Sequence, residues 1–349
     1  MKKILITDVT LRDGNHAIGH KMTINQIAVY TAAADAAGIP IVEVGHGNGL
    51  GASSLQVGES AITDEVMLSV AKKNLPHSKL GIHVIPGFAT INKDLKKALD
   101  MGVDVVRVAA HCSEADITQR HINYVRDRGK EAYGVLMMSH MASKETLVEE
   151  CQKMESYGAE GVMIFDSAGA YLPPQVNERI GELVDKLNIP VGFHAHNNLG
   201  LGIANSIAAA EAGAKIIDGS ARGFGAGAGN AQIEVLVAVL EKMGYSTGID
   251  LYKILDASDV AESELVKEIP RIKSLSIVSG LSGVFSGFSK PVERISKEYN
   301  VDARDVFFEL GRRQAVAGQE DLIIEVVSKL ASKNKEREMY DTNTKRNNP

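Results

Sequence analysis

Two short stretches hold residues that could grip a metal ion together: Thr10-Leu11-Arg12-Asp13-Gly14 near the N-terminus, and His194-Ala195-His196 much later. Each follows an apolar run that reads as a β-strand, Ile4 to Val9 and Ile189 to Phe193. Side chains i and i+2 of a strand share a face, so both histidines of an H-x-H can reach one ion. Asp13, from a different strand, adds a hard oxygen. Such a mixed set suits a catalytic divalent cation with open positions better than a closed structural zinc site. Without an ion, the same three residues would form a hydrogen-bonded polar cluster.

Their neighbours extend the chemistry. Arg12 is permanently cationic and cannot be a base, but it can hold a developing enolate or carboxylate oxygen. The plainer role is a salt bridge to Glu43, which strand alternation could aim inward; the two are compatible, with Glu43 orienting Arg12. His16, three residues past Asp13, changes charge near neutral pH, as a general base must, unless it is simply a surface-loop histidine. Asn230 is either a helix N-cap or a fourth ligand or supporting contact to the metal. The run Arg222 to Asn230 is rich in glycine but closes a βα unit late in the chain, and no acidic ribose partner follows about 20 residues on, so it is not a dinucleotide loop. It can still cradle an anion or bring backbone close to the site. Cys112 reads as a small buried residue.

Elements must bring these distant residues together. Short β-branched runs at Ile4–Thr7, Ile41–Val44, Leu80–Ile85, Val103–Val108, Gly134–Met138, Val162–Phe165, Pro190–Phe193 and Lys215–Asp218 alternate with helical stretches. The latter include Ile24–Ala37, Ile91–Met101, Lys144–Tyr157, Pro174–Leu187 and Ala231–Met243, several ending at glycine. Near-continuous apolar strands predict a parallel sheet covered on both faces, and eight is the count at which it closes. The fold class is therefore a (β/α)8 barrel, whose active site sits at the C-terminal strand ends. Arg12, Asp13, His16, His46, His111, Ser139, His140, Asp166, Ser167, His194, His196 and Arg222 all fall there.

Beyond about Thr247 the rhythm changes: a helical Leu251–Val266, a Gly/Ser-rich apolar stretch Ile272–Phe288, two amphipathic helices over Lys290–Tyr299 and Asp302–Leu310, and a last helix to about Leu330. We expect a barrel over 1–265, a small helical domain over 266–331 and a polar, disordered tail over 332–349. The net charge of −6 argues against nucleic acid or an anionic membrane as the main partner. No apolar run approaches the roughly 20 residues of a membrane span. The N-terminus enters a strand after two lysines, so no signal peptide is expected, and the two cysteines, Cys112 and Cys151, read as free thiols of a cytoplasmic protein.

Thr10-Leu11-Arg12-Asp13-Gly14, His194-Ala195-His196-Asn197 and Gly227-Ala228-Gly229-Asn230-Ala231 together resemble the DRE-TIM metallolyase superfamily. That superfamily includes hydroxymethylglutaryl-CoA lyases, isopropylmalate and homocitrate synthases, and 4-hydroxy-2-oxovalerate aldolases. Arg12-Asp13-Gly14-Asn15-His16-Ala17, Glu43-Val44-Gly45-His46-Gly47-Asn48-Gly49-Leu50 and the segment from Glu309 to Leu322 are similar to the aldolases in particular, the last to their C-terminal communication domain. The resemblance covers nearly the whole chain to about Leu330.

What the resemblance implies is a pyruvate aldolase that cleaves 4-hydroxy-2-oxopentanoate to pyruvate and acetaldehyde. Asp13, His194 and His196 would hold Mn2+ (Mg2+ and Co2+ being the alternatives), Arg12 would stabilise the enolate, His16 would take the C4 hydroxyl proton and Ser167 would hold the substrate carboxylate. The implied partner is an acylating acetaldehyde dehydrogenase in a heterotetramer-type complex. Phe285 stands where the family carries Tyr, which bears on stereochemical control at C4 and on substrate preference, and Lys290-Pro291 replaces an Arg-His pair. The competing expectations are a synthase of the same superfamily that condenses an acyl-CoA with a 2-oxo acid, and a catalytically inactive barrel serving as a scaffold.

Overall fold

Each apolar run pairs in parallel with the next, and the last returns to the first. The computed structural model describes residues 2–346 except 267 and 317, with side chains to 334. The strands are β1 (Leu5–Leu11), β2 (Ile41–Val44), β3 (Lys79–Val84), β4 (Val105–His111), β5 (Glu131–Met137), β6 (Gly161–Asp166), β7 (Val191–Ala195) and β8 (Ile216–Gly219). They close in sequential order, with Leu5 opposite Ile216 and Thr7 opposite Asp218 completing the ring. This is the (β/α)8 barrel expected from the repeat pattern. A two-residue parallel pair, Lys2–Lys3 with Tyr245–Ser246, extends the ring's N-terminal edge.

Helices α1 (Ile24–Ala36), α2 (Asp64–Asn74), α3 (Lys96–Asp100), α4 (Gln119–Asp127), α5 (Lys144–Ser156), α6 (Pro173–Lys186), α7 (Gly202–Glu211) and α8 (Ile233–Lys242) follow the eight strands. Local chemistry sets their starts. Thr23 and Gln26 form a reciprocal capping box on α1, Ser143 caps α5, and Pro173 and Pro174 open α6 where missing N–H groups cost nothing. The expected helix over Ile91–Met101 is present, but its first turn, Ile91–Leu95, is wound as a π-turn before α3. Most of the apolar core lies between strands and helices. A smaller cluster fills the barrel itself: Ala109, Val135, Met163, Phe165 and Ile216.

After α9 (Leu251–Val260) come α10 (Ser274–Ser282), α11 (Ser289–Glu298), α12 (Ala303–Arg312) and α13 (Asp321–Arg346). Val292, Ile295, Val306, Phe307, Leu310, Ile323 and Val326 form their separate core. Helix α13 runs through Arg346, well past Leu330, so 332–346 are helical where an irregular tail was expected. The stretch has no Gly or Pro before Pro349 and is rich in Lys, Glu and Arg, which lose little rotamer freedom in a helix. Positions 347–349 lie outside the described residues. No helix among the described residues is long and apolar enough to cross a membrane.

The helical domain docks on the barrel mouth. Ser286 N–H donates to the Ser167 carbonyl (3.2 Å), the Ser286 hydroxyl donates to Asn198 (3.0 Å), and His140 Nε2 meets the Gly283 carbonyl (3.0 Å). It therefore roofs the end of the barrel where the titratable residues gather.

Candidate active site

Strand β1 ends in a tight one-turn helix, Asp13–His16, which turns Asp13 inward. Two strands round the ring, the end of β7 presents His194, and His196 follows one residue past the strand. A ligand atom from each of the three lies within 4.8 Å of the others, and all three residues are buried. The glycine run of the eighth unit closes the site from the side. Ala226 N–H (3.2 Å) and Asn230 Nδ2 (2.9 Å) both donate to Asp13 Oδ2. Gly225 permits this approach, since a Cβ there would stand 2.7 Å from Asp13 Oδ2.

Asn230 is not a helix cap. Isolated bridges from His196 to Asn230 and from Ser220 to Gln232 hold 230–232 extended, so α8 starts at Ile233 with Gln232 before it. The glycine run brings backbone to Asp13 instead of binding a nucleotide. Arg222 also leaves the site: its guanidinium turns outward to Glu234 (3.2 Å), Glu262 (2.7 Å) and Asp259.

Arg12 is buried and forked. Its Nε donates to Glu43 Oε1 (2.5 Å), and its Nη1 donates to Asp13 Oδ1 (2.8 Å) and to the Gly47 carbonyl (3.4 Å). Its Nη2 has no partner. The salt bridge to Glu43 and a free donor for an oxyanion thus coexist in one side chain. Burial works to raise the Asp13 carboxyl, but the Arg12 guanidinium beside it holds it well below the usual carboxylate range. Burial lowers His196 to about 4 against the pull of Asp13, so its ring is neutral and can offer a lone pair.

His16 sits above Asp13, half-buried. Burial lowers it to about 4, with Asp13 pulling the other way. Its ring packs edge-on to His20 (5.0 Å between centroids) and to Phe285 (6.4 Å). Lys290 donates to the carbonyls of His16 (3.2 Å) and Ala17 (2.9 Å), pinning the loop that carries it. Ser167 Oγ accepts the Met138 N–H (3.0 Å), which leaves its own hydroxyl proton free to donate. His46 stacks on His20 and is committed to the backbone at Asn48 and Gly58. Ser139 is occupied with Tyr171 and the Phe165 carbonyl, and Asp166 ties down its own loop at Ala170 and Tyr171.

Two buried charges escaped the sequence reading. Arg107, on β4, donates from Nη2 to Asp218 Oδ2 (2.5 Å) and pairs through Nη1 with Glu43 Oε2 (3.1 Å). Asp218, on β8, accepts the Nδ1–H of His194 (2.9 Å). The signal was available as a charged residue at an inward position of an apolar strand, in Val105-Val106-Arg107-Val108 and Ile216-Ile217-Asp218-Gly219.

The residues fit a divalent cation. His194 Nε2, His196 Nδ1 and Asn230 Oδ1 are buried without partners, an arrangement that costs free energy unless something accepts their lone pairs. Asp13, Glu43 and Asp218 against Arg12 and Arg107 leave the cluster one negative charge. A dication reverses that to one positive charge and favours an anionic ligand beside it.

Comparison with known proteins gives the family of the chain. The HMGL-like family profile matches residues 3–261, and the DmpG-like communication domain matches 270–332. A 4-hydroxy-2-oxovalerate aldolase of Spirochaeta aurantia is 67% identical over 95% of this chain and 97% of its own length. One from Pectobacterium atrosepticum is 62% identical over 95% and 97%. The carboxyl transferase domain of Rhizobium etli pyruvate carboxylase shares the fold, at 15% identity and a TM-score of 0.80 over 95% of this chain and 61% of that one. The chain belongs to the HMGL-like family, in the 4-hydroxy-2-oxovalerate aldolase group that carries the communication domain.

Proposed function

We propose that this protein is a divalent-metal-dependent pyruvate aldolase that cleaves 4-hydroxy-2-oxopentanoate to pyruvate and acetaldehyde. The observation that carries the reading is the convergence of Asp13, His194 and His196 beside the unpartnered Nη2 of Arg12, within a chain of this family. Asp13, His194 and His196 would hold a divalent cation, with Asn230 donating to Asp13 beside them, and the ion would supply Lewis-acid polarisation of the 2-oxo acid; Mn2+ suits the oxygen and nitrogen donors, as do Mg2+ and Co2+.

The chain's own groups do the rest. The free hydroxyl proton of Ser167 binds the substrate carboxylate. His16, kept neutral, accepts the C4 hydroxyl proton as the C3–C4 bond breaks and the aldehyde carbonyl forms. The electron pair of that bond flows into the enolate, where Arg12 Nη2 donates to the oxygen that gains charge. Glu43 holds the guanidinium in that orientation. Phe285 packs against His16 without offering a hydroxyl, which fits a site that controls C4 configuration through shape alone.

The communication domain over the mouth supports delivery of the aldehyde to an acylating acetaldehyde dehydrogenase, bound to this domain in a cytoplasmic complex. The direct test supplies Mn2+ and racemic 4-hydroxy-2-oxopentanoate and follows pyruvate with lactate dehydrogenase. Wild type should release pyruvate, while Asp13→Ala and Arg12→Ala should not. Equal rates in all three would sink the mechanism.

A further inference from the structure

Among the described residues no hydrogen bond or ion pair joins Arg107 to Asp13, His194 or His196, yet it stands between the two halves of the site. It is 1% exposed, among the largest fully buried side chains of the protein, and lies 5.0 Å over the Phe165 ring. Burying a guanidinium in a barrel interior is costly unless its charge is paired. Arg107 answers two carboxylates at once. On one side Glu43 passes its other oxygen to Arg12 Nε; on the other Asp218 passes Oδ2 to His194 Nδ1. Arg12 in turn meets Asp13. Charges alternate along an unbroken path from Asp13 through Arg12, Glu43 and Arg107 to Asp218, which ends on the imidazole of His194. Both ends of that path belong to the three-residue cluster that could hold an ion.

We propose that Arg107 is a positioning residue that couples the enolate-stabilising guanidinium to the metal-binding imidazole. Its forked hydrogen bonds to Asp218 (3.3 and 2.5 Å) and its ion pair with Glu43 (3.1 Å) fix the two carboxylates in place. Asp218 then holds His194 as the Nδ1–H tautomer, which turns the Nε2 lone pair towards Asp13 and His196. Glu43 holds Arg12 so that Nη1 reaches Asp13 and Nη2 remains free. A lysine at 107 keeps the charge but presents a single ammonium, which can serve one carboxylate in line and not both. The inference rests on the metal reading above.

The experiment measures Mn2+ binding to chelator-treated protein by calorimetry for wild type, Asp218→Asn, Arg107→Lys and the double variant. Changes beyond the ligands cost about 10–100-fold in metal affinity. Asp218→Asn should lose that much. Arg107→Lys should lose a comparable factor although no hydrogen bond joins that position to a ligand, and the double variant should fall short of the product of the two losses. A side chain that merely packs would shift the melting temperature and leave Mn2+ affinity alone, so folded Arg107→Lys with unchanged affinity overturns the inference. If that variant does not fold, 15N–1H spectra of wild-type histidines decide: Nδ1–H on His194 supports the proposal, Nε2–H overturns it. Wild-type protein that binds no Mn2+ overturns the metal reading and this inference with it, whereas normal wild-type binding with unaffected variants overturns this inference alone.

Discussion

Replacing Arg12 by lysine separates its charge from its fork. In the structure Nε is committed to Glu43 at 2.5 Å and Nη1 to Asp13 at 2.8 Å, and only Nη2 is free for the reacting oxygen. A lysine ammonium can hold Glu43 or Asp13, but the third donor, aimed from a rigid plane, disappears. One lost oxyanion donor is worth about 2.7–4 kcal/mol, or roughly 10²–10³ in kcat. Because that contact strengthens as the enolate forms, KM for 4-hydroxy-2-oxopentanoate should move by less than about threefold. Leaving one carboxylate oxygen short of its charged donor should also lower stability by about 1–3 kcal/mol, too little to unfold the chain. The assay is pyruvate release coupled to lactate dehydrogenase, with Mn2+ saturating and thermal melts in parallel. A folded Arg12→Lys enzyme whose kcat stays within about fivefold of wild type would refute the assignment of Nη2 to the enolate.

Three further outcomes follow from the geometry. A Cβ at Gly47 would stand 2.5 Å from the His16 ring, so Gly47→Ala should displace the imidazole and lower kcat by about 10–100-fold with little change in melting temperature; unchanged steady-state rates would remove His16 from the reaction. Phe285→Tyr adds a hydroxyl beside His16, and one hydrogen bond of about 1 kcal/mol should widen the kcat/KM ratio between the two C4 enantiomers about fivefold, read by chiral separation of unreacted substrate; an unaltered ratio would show that this position does not read C4. Acid should destabilise the metal-free protein. Burial lowers His20, His83 and His196 from 6.5 to about 2, 3 and 4, so their stability is fully present above 6.5 and is lost as pH falls towards those values. Burial raises Asp8 and Asp166 from 3.8 to about 6 and 7, and their contribution runs the other way, present at low pH and lost as pH rises through 6 to 7. With His16, lowered to about 4 in the same way, four imidazoles against two carboxyls leave a net uptake of about two protons on unfolding between pH 6 and 4, or about 2.7 kcal/mol per pH unit. Urea midpoints should therefore fall from pH 6 to pH 5, and a rise would contradict the burial of these rings as neutral species.

Much of this site was legible because its residues sit where periodicity speaks clearly. The H-x-H of β7 and the Asp13 turn after β1 follow continuous apolar runs, and the closed eight-strand count brings their ends together. Arg107 and Asp218 were hidden for the opposite reason. A single charge inside a β-branched strand carries no spacing motif, and only the closed barrel reveals that four strands aim their charges at one another. Asn230 was ambiguous because an asparagine before a helical run satisfies two patterns; the bridge to His196 decides against the cap. Arg222 looked like a rim residue by position, but its backbone takes the left-handed conformation (φ 53°) and its side chain meets Glu234 of α8, Asp259 of α9 and Glu262 just beyond it. Helix α13 outran its expected end because polar composition alone does not separate a solvated helix from an irregular tail.

In the proposed mechanism Asp13, His194 and His196 hold the ion on which carbon–carbon cleavage depends. Protein stripped with a chelator and then titrated with Mn2+ tests this most directly, with binding and pyruvate release followed on the same samples. Cleavage should be absent without the ion, recovery should saturate with one Mn2+ per chain, and His196→Ala should lose both binding and recovery. Full cleavage by the stripped protein, or an unaltered Mn2+ titration of His196→Ala, would contradict the mechanism.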